Sequence, residues 1–196
     1  MSAAPRVIKL GGSLLDWPEL ADRFRDWLAR QSPAASVVVA GGGAIVDAVR
    51  ELDRAQSLSA ETSHWLAIRA MSLTAALAAR ILSPAPPVRA LAELRLSADA
   101  PVQVFEVERW LRDDARRADP LPVGWEVTGD SIAARLAHAI GASELVLLKS
   151  ALPEPSASRE ALAQAGFVDA YFPKAAVGLS VRVVNLRDPE FPDFGF

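Results

Sequence analysis

Two short apolar runs each end in consecutive glycines, and a helical pattern follows each of them. Residues 7–10 run into Gly11 and Gly12, and residues 36–40 run into the three glycines at 41–43. Strand, glycine turn and helix in this order are typical of βαβ units, in which a crossover helix joins two parallel strands. The repetition predicts an α/β fold with a mostly parallel sheet that is covered by helices.

The alternation of strands and helices continues along the chain. Strands are predicted at 102–105, 145–148 and 181–184, and helices at 106–118 and 130–140. Asp16 is the predicted N-cap of the first helix, and Ser158 is that of a last short one. Ser59 or Thr62 begins a long helix that reaches residue 82. On this long helix the side chains expected to pack inward are Trp65, Ile68, Met71, Leu73 and Ala76.

The chain has 196 residues, the length of one large domain, and we expect a single domain over 1–196. It has no cysteine, which excludes disulfides and thiolate metal sites, and its two histidines are too few for a histidine-rich metal centre. A net charge of −3 gives no basic surface to attract nucleic acid. No apolar run reaches the roughly 18 residues of a membrane span, so we expect a soluble, cytoplasmic protein without nucleic-acid or membrane partners.

Lys9 lies on the first predicted strand, just before its glycine turn. Glycine lets backbone N–H groups approach an anion closely, and the N-terminus of a following helix adds partial positive charge. An ammonium group beside such donors suits the stabilisation of a phosphoryl group during transfer. The alternative is a strand-end lysine that simply reaches solvent. Neither turn matches the P-loop or the dinucleotide fingerprint, so a nicotinamide-type Rossmann domain is not favoured.

Three motifs in sequence order resemble those of the amino acid kinase superfamily. They are Val7-Ile8-Lys9-Leu10-Gly11-Gly12-Ser13, then Val37-Val38-Val39-Ala40-Gly41-Gly42-Gly43, then Thr128-Gly129-Asp130-Ser131-Ile132-Ala133. The resemblance implies a three-layer αβα sandwich of the carbamate kinase-like type, with an acceptor-binding lobe over about 1–120 and a shortened nucleotide-binding lobe over 121–196. It also implies ATP, with Mg²⁺ held mainly by the nucleotide phosphates. A homo-oligomer is implied as well, for which the long helix after Ser59 is available.

The resemblance also assigns roles by position. Lys9 is expected to stabilise the transferred phosphoryl group, and Asp130 is expected to orient that lysine, which is compatible with an N-cap role for Asp130. The residues expected to contact the nucleotide are Gly11, Gly12, Ser13 and Ser131. Those expected to contact the acceptor are Gly41, Gly42, Gly43 and Thr128.

A finer resemblance is to the kinases of methanofuran biosynthesis, which phosphorylate an aminomethylfuran-methyl phosphate to its diphosphate for one-carbon metabolism. It is carried by residues 63–71, 125–131 and 183–189, with Val168 and Asp169. In that context His64 and Arg69 are expected to bind the phosphorylated acceptor, from nearly the same helical face. The residues expected to be structural are His138, Trp65 and Trp125.

The chain departs from the family pattern after the strand at 145–148 and near its C-terminus. Lys149-Ser150-Ala151 replaces the usual nucleotide-site stretch, and the segment that supplies a second catalytic lysine in some relatives is missing. Lys149 and Lys174 are therefore candidate nucleotide contacts, with Lys174 in place of that second lysine. Two alternatives stay open. One is a kinase for another acceptor, such as a nucleoside monophosphate, isopentenyl phosphate or an amino-acid carboxylate; the other is a non-catalytic member that binds nucleotide or an oxyanion.

Overall fold

The apolar runs pair side by side in one six-stranded sheet with the order β3-β2-β1-β4-β5-β6. The computed structural model describes residues 4–83, 85–154 and 157–196. Its strands are β1 (Arg6–Leu10), β2 (Ser36–Ala40), β3 (Gln103–Val104), β4 (Glu144–Lys149), β5 (Val181–Asn185) and β6 (Asp193–Gly195). The first five strands are parallel to one another, and β6 runs antiparallel to β5. The predicted mostly parallel sheet is confirmed.

Helices cover both faces of this sheet. They are α1 (Leu20–Ala29), α2 (Gly43–Gln56), α3 (Ala60–Leu82), α4 (Glu108–Asp114), α5 (Gly129–Ile140), α6 (Arg159–Gln164) and α7 (Phe172–Ala175). One hydrophobic core includes Val7 of β1 and residues of α5 and α7, and the other includes Ile8 of the same strand and residues of α1. Successive strand residues are thus buried on opposite faces, which is why the central strands are mostly apolar. The predicted three-layer αβα sandwich is confirmed.

Tight turns after the first glycine turn place the start of α1 later in the chain than predicted. The helix begins at Leu20 and not at Asp16, so the predicted N-cap is wrong. A 3-10 helix at Gly12–Leu14 follows the first glycine turn, and the backbone N of Trp17 then donates to the O of Leu14 over 3.2 Å. These turns occupy the residues that the helical pattern assigns to the first turn of α1, because a chain in such turns cannot also form i→i−4 hydrogen bonds.

Helix α3 begins after Ser59, whose predicted role as N-cap is confirmed. Ile68 and Met71 are buried as predicted, whereas Leu73 and Ala76 are exposed. Two residues along a helix rotate the side chain by about 200°, so Leu73 points away from the face that carries Met71. Within the part of the chain that the structure describes, α3 is also the one helix that is long and apolar enough to cross a membrane, although much of it is buried in the core.

The end of α4 and the strand β6 also differ from the prediction. Helix α4 ends at Asp114 instead of residue 118, and the backbone N of Arg117 bonds the O of Asp114 (2.9 Å) in a turn that follows it. Strand β6 has three residues and no buried one, so no apolar run reveals it, and only its pairing with β5 defines it. Neither difference affects the edge of the sheet where the glycine turns lie.

Candidate active site

The two glycine turns meet at the carboxyl edge of the sheet. Strands β1 and β2 pair in register up to Leu10 and Ala40, so both strands end at the same level. The backbone N of Gly41 donates to the O of Leu10 over 2.8 Å. A Cβ atom on Gly12 would lie 2.3 Å from the backbone N of Gly43, so the two turns touch in a way that leaves no room for a side chain.

Replacing Gly12 with alanine is expected to destabilise the protein, because the added methyl group would displace the backbone of Gly43. Overpacking of this kind costs about 1–3 kcal/mol, which corresponds to a fall in melting temperature of roughly 3–10 °C. The matched control is Gly195→Ala, because the nearest atom to a Cβ there is the O of Val181 at 3.8 Å. Thermal unfolding followed by circular dichroism measures both variants. Equal melting temperatures would show that the two turns do not touch.

Three charged side chains meet beside these turns. Lys9 of β1 and Lys149 at the end of β4 each place Nζ 3.1 Å from the same atom, Oδ1 of Asp130. Lys149 also donates to Oδ2 of Asp130 (3.2 Å) and to the backbone O of Phe167 (2.8 Å). The contacts at Oδ1 are ionic, since no hydrogen bond of ordinary geometry reaches that atom from the described residues. Each of the three side chains is at most 15% exposed, so solvent screens their charges weakly.

Burial and the two ammonium groups determine the ionisation of this cluster. Burial of the Asp130 carboxyl opposes its ionisation, but the positive charges of Lys9 and Lys149 outweigh burial and hold the Asp130 pKa below its ordinary value. Burial and the positive charge of Lys9 lower the pKa of Lys149 to about 8, although Asp130 acts in the opposite direction. Lys149 therefore titrates at a lower pH than an exposed lysine does.

Helix α5 positions Asp130, and a distant carboxylate caps this helix. Oδ2 of Asp169 accepts hydrogen bonds from the backbone N of Thr128 (3.0 Å) and of Ser131 (2.9 Å), and the Ser131 hydroxyl donates to Oδ1. Asp130 is therefore not the N-cap, since its side chain is directed to the lysines. Ser131 is fully buried with its hydroxyl toward Asp169, which corrects its predicted nucleotide contact. Burial and the charge of Asp130 raise the pKa of Asp169, against the hydrogen bonds from Ser131 and Thr128.

A cavity of about 240 Å³ opens between the glycine turns. Of the predicted site residues, those that line it are Lys9, Gly12, Ser13, Gly41, Gly42, Gly43, His64 and Thr128. Gly129, the first residue of α5, also lines it, so the N-termini of α2 and α5 both border the cavity. Two helix N-termini and one ammonium group create a positive potential that suits an anion. Both glycine turns and Lys9 thus face one space.

His64 of α3 lines this cavity with a ring that the loop before α5 holds in place. Its Nδ1 lies 3.2 Å from both the backbone N and the backbone O of Gly124. Burial lowers the pKa of His64, although the hydrogen bond with Gly124 and the charge of Glu126 act in the opposite direction. The ring is therefore mainly neutral at pH 7. It can donate or accept a hydrogen bond in the cavity but does not provide a fixed positive charge.

Asp47, Arg50 and Trp125 also line the cavity, and the sequence motifs do not assign a site role to any of them. The guanidinium of Arg50 lies 4.6 Å from the ring centroid of Trp125, and Nε1 of Trp125 donates to Oδ2 of Asp53 over 2.6 Å. Trp125 is thus part of the cavity wall, and its prediction as a structural residue did not place it there. A helical period that starts at Gly43 places positions 47 and 50 on the same face, and this signal could have identified both α2 residues.

Arg69 lies away from the cavity. Its side chain is 74% exposed and its Nε is 3.8 Å from Oε1 of Glu108 on α4. The prediction that it is close to the helical face of His64 is wrong, because five residues along a helix correspond to a rotation of about 140°. Arg69 does not line the cavity, so its role in acceptor binding stays a prediction that this arrangement does not support.

Lys174 and Gly11 also lie outside the cavity lining. Lys174 of α7 places its ammonium 5.3 Å from the ring centroid of Tyr171 and borders a separate surface cavity. Its contact with the nucleotide stays a prediction, which the cavity between the glycine turns does not support. The backbone N of Gly11 donates to the O of Leu148 over 2.8 Å, so Gly11 extends the pairing of β1 with β4 and anchors the first glycine turn to β4.

The chain is similar to a known protein family and to a curated enzyme. The model of the amino acid kinase family matches residues 5–151. The (5-(aminomethyl)furan-3-yl)methyl phosphate kinase of Methanocaldococcus jannaschii is 35% identical over 68 residues, which are 34% of this chain and 31% of that protein. The match therefore spans less than a third of the length of this curated relative.

Solved structures of two further kinases are similar to this chain. The uridylate kinase from Archaeoglobus fulgidus has a TM-score of 0.58 at 19% identity, and the match covers 92% of this chain and 89% of that one. The aspartate kinase from Synechocystis has a TM-score of 0.65 at 17% identity, with 98% of this chain and 40% of that one covered. At these identities the likeness shows a common fold.

Proposed function

Because this chain belongs to the amino acid kinase family, we propose that it transfers the γ-phosphoryl group of ATP to a small phosphorylated acceptor and so forms a diphosphate. The observation that carries the proposal is the position of Lys9. Lys9 lines the cavity between the two glycine turns, and its ammonium pairs with the buried carboxylate of Asp130. Charge that develops on a phosphoryl group in this cavity would be stabilised by a fixed cation and by backbone N–H groups.

In the proposed reaction an oxygen of the acceptor phosphate attacks the γ-phosphorus of ATP. A P–O bond forms to the acceptor, the bond between the γ-phosphorus and the β–γ bridging oxygen breaks, and ADP leaves with the negative charge of that oxygen. The acceptor phosphate is already ionised near pH 7, so the step needs no general base, and a neutral His64 fits such a site. Catalysis then depends on in-line positioning and on neutralisation of charge.

The nucleotide phosphates are proposed to bind where the first glycine turn meets the end of β4. The hydroxyls of Ser13 and Ser150 lie 3.4 Å apart, so these two segments are adjacent. Lys149 then supplies the second cation of the site. Asp130 is engaged by two ammonium groups, and no cluster of three or more His, Asp or Glu suited to a metal occurs among the described residues. We therefore assign Mg²⁺ to the nucleotide phosphates, which is usual for kinases.

The size of the cavity favours a small acceptor. A volume of about 240 Å³ lies below the roughly 300–1,000 Å³ of sites for drug-sized ligands. The relative from M. jannaschii is named for a furan-methyl phosphate, which is an acceptor with few atoms. We propose an acceptor of this type, in the biosynthesis of a methanofuran-like cofactor. Nucleoside monophosphates, isopentenyl phosphate and amino-acid carboxylates are the alternatives.

Phosphorus NMR of the protein with ATP, Mg²⁺ and one acceptor at a time tests the proposal. We expect the signals of ADP and of a new diphosphate with (5-(aminomethyl)furan-3-yl)methyl phosphate, and slower product formation with uridine monophosphate, isopentenyl phosphate or aspartate. Product from one of the other acceptors alone would change the acceptor and keep the reaction class. Calorimetric binding of ATP without product from any acceptor would contradict the proposal and favour a non-catalytic nucleotide-binding protein.

We expect kcat/KM to fall as the pH rises through about 8, because the Lys149 ammonium, with its pKa lowered to about 8, loses its proton there. The value of kcat should fall less, since bound phosphates favour the charged form of the amine. Lys149→Arg keeps its positive charge over this whole range and should remove the basic limb. The pH profile is measured with an acceptor that has no amine, so that no substrate group titrates in the same range.

The matched control for this profile is Lys174→Arg. Lys174 on α7 lies beside Tyr171 at a separate surface cavity and does not pair with Asp130 as Lys149 does, so this variant should retain the basic limb of the unsubstituted protein. An unchanged basic limb in Lys149→Arg would show that another group titrates near pH 8 and that Lys149 does not act on the nucleotide in its charged form.

Homo-oligomerisation, the division into an acceptor-binding and a nucleotide-binding lobe, and a cytoplasmic location stay predictions. The sheet itself is continuous across the predicted lobe boundary near residue 120, since β1 pairs with β4. Helices α2 and α3 leave several leucines exposed, and we propose this surface for contact between two copies. These leucines are Leu52, Leu66, Leu73 and Leu77.

A further inference from the structure

Helix α2 brings two opposite charges to the wall of the cavity. It begins at Gly43, and one helical face carries Gly43, Asp47 and Arg50 along the cavity. Asp47 follows Gly43 by one turn, which is about 6 Å along the helix axis. The cavity therefore has an end that suits an anion, at the N-terminus of α2 and Lys9, and a carboxylate one turn away from that end.

The other charges of the cavity already have partners. Lys9 pairs with Asp130 at 3.1 Å, and Arg50 stacks on Trp125, whose indole N–H is fixed by Asp53. No Lys, Arg or His nitrogen within the described ranges lies within 4.0 Å of the Asp47 carboxylate. Asp47 is exposed and lines the cavity.

A carboxylate without a partner is unfavourable in the wall of a cavity that receives a phosphate. Like charges at short range repel, and the repulsion grows when a ligand displaces the water that screens them. A simple phosphate monoester would therefore bind less tightly because of Asp47. The sign of this contribution reverses when the ligand carries a cation at its other end, because the carboxylate then forms a charge-assisted hydrogen bond.

We propose that Asp47 binds a cationic amine at the end of the acceptor that is remote from its phosphate. The acceptor class is then a zwitterionic aminoalkyl phosphate monoester, with its phosphate at Lys9 and Gly43 and its ammonium group at Asp47. This inference rests on the proposed phosphoryl transfer and specifies its acceptor. The acceptor in the name of the relative from M. jannaschii carries an aminomethyl group and a phosphate ester on one small ring, which has both required charges.

Calorimetry and steady-state kinetics with two matched acceptors test the inference. The pair is (5-(aminomethyl)furan-3-yl)methyl phosphate and the same molecule without the aminomethyl group. The unsubstituted protein should bind the amine about tenfold or more tightly than its des-amino counterpart, as expected of one charge-assisted hydrogen bond. Asp47→Asn should remove this preference by weakening the amine acceptor, without weakening the des-amino acceptor. The same pattern is expected in kcat/KM.

The matched control is Glu51→Gln, which removes one negative charge from the same helix at an exposed position outside the cavity lining. It should keep the preference for the amine. The inference is overturned if the unsubstituted protein binds both acceptors equally, or if the preference persists in Asp47→Asn. In either case, phosphoryl transfer to one of the two acceptors keeps the proposed function. An Asp47→Asn variant that needs more Mg²⁺ with both acceptors alike assigns the carboxylate to the metal and overturns the inference too. Failure of both acceptors to bind contradicts the inference and the furan-methyl phosphate acceptor, whereas product from one of the other acceptors would still keep the reaction class.

Discussion

Replacing Lys9 with methionine is expected to lower kcat by about 10²–10³-fold while the melting temperature changes little. Methionine keeps an apolar stem of similar length and removes the ammonium of a residue that lines the cavity. Loss of one preorganised donor at a developing charge has an effect of this size. Asp130 keeps its contact with Lys149 at 3.1 Å, so no buried carboxylate is left without a cation. Phosphorus NMR and initial rates of ADP release measure turnover, and circular dichroism measures unfolding.

The matched control for this variant is Lys174→Met, which removes a lysine outside the cavity and should retain full turnover. Wild-type kcat in Lys9→Met would exclude Lys9 from the transfer step. Calorimetry with ATP separates binding from chemistry, since a role confined to binding would raise the dissociation constant and leave kcat unchanged. If Lys9→Met unfolds at a much lower temperature, Lys9→Arg retains the charge and isolates the effect of its geometry on turnover.

Replacing Asp130 with asparagine is expected to produce the largest loss of stability, about 3–5 kcal/mol at pH 7. The carboxylate is buried between the ammonium groups of Lys9 and Lys149, and removal of one partner from a buried ion pair costs about this much. Two like charges then remain together without a counter-charge. Turnover should also fall, because the carboxylate no longer holds Lys9 in the cavity. Chemical denaturation at fixed pH measures the free energy of unfolding.

This loss of stability should become smaller as the pH rises from 7 to 9. The pKa of Lys149 is about 8 in the folded protein, below its ordinary value of 10.5. Between these two values the unfolded chain holds more protons, so the free energy of unfolding increases with pH. Asp130 is the group that raises the folded-state pKa of Lys149, so in Asp130→Asn that pKa is lower and the increase begins at a lower pH. The variant and the unsubstituted protein therefore converge.

Asp114→Asn is the matched control for this pH dependence. Asp114 is a buried carboxylate on α4, outside the lining of the cavity, and it pairs with Arg135 at 2.9 Å. Its replacement should also destabilise the protein, but the deficit should not shrink between pH 7 and 9, because the arginine keeps its charge. A deficit that stays constant with pH in Asp130→Asn would show that repulsion between the two lysines is not its cause.

The local features of the fold could be predicted from the sequence, because the signals for them are local. The apolar runs that become β1 and β2 are buried on both faces, and the glycines after them are required where Gly12 and Gly43 touch. A shift by one residue would exchange two faces that are both buried, so the apolar pattern of these strands does not by itself specify their register. The juxtaposition of Lys9 with Asp130 had a different origin, because only the resemblance of their motifs linked residues so far apart in sequence.

The parts of the site that were missed depend on contacts between distant segments. Asp169 caps α5 from 38 residues beyond Ser131, and no spacing rule connects a helix with a carboxylate in a later loop. Trp125 is held in the cavity wall by contacts with Arg50 and Asp53 of α2, which again join separate segments of the chain. Arg69 was placed incorrectly for a simpler reason, since five residues do not return to the same face of a helix.

Because Lys9 and Lys149 share one oxygen of Asp130, each of the two ligands is expected to affect the binding of the other. A nucleotide that attracts one amine to its phosphates leaves Asp130 to the other amine, and an acceptor that attracts the second amine has the reverse effect. Each ligand therefore alters the affinity for its partner, and thermodynamic reciprocity makes the two effects equal. Under the proposed function, we expect cooperative binding of the two substrates that comes from competition for one atom and requires no movement of a lobe.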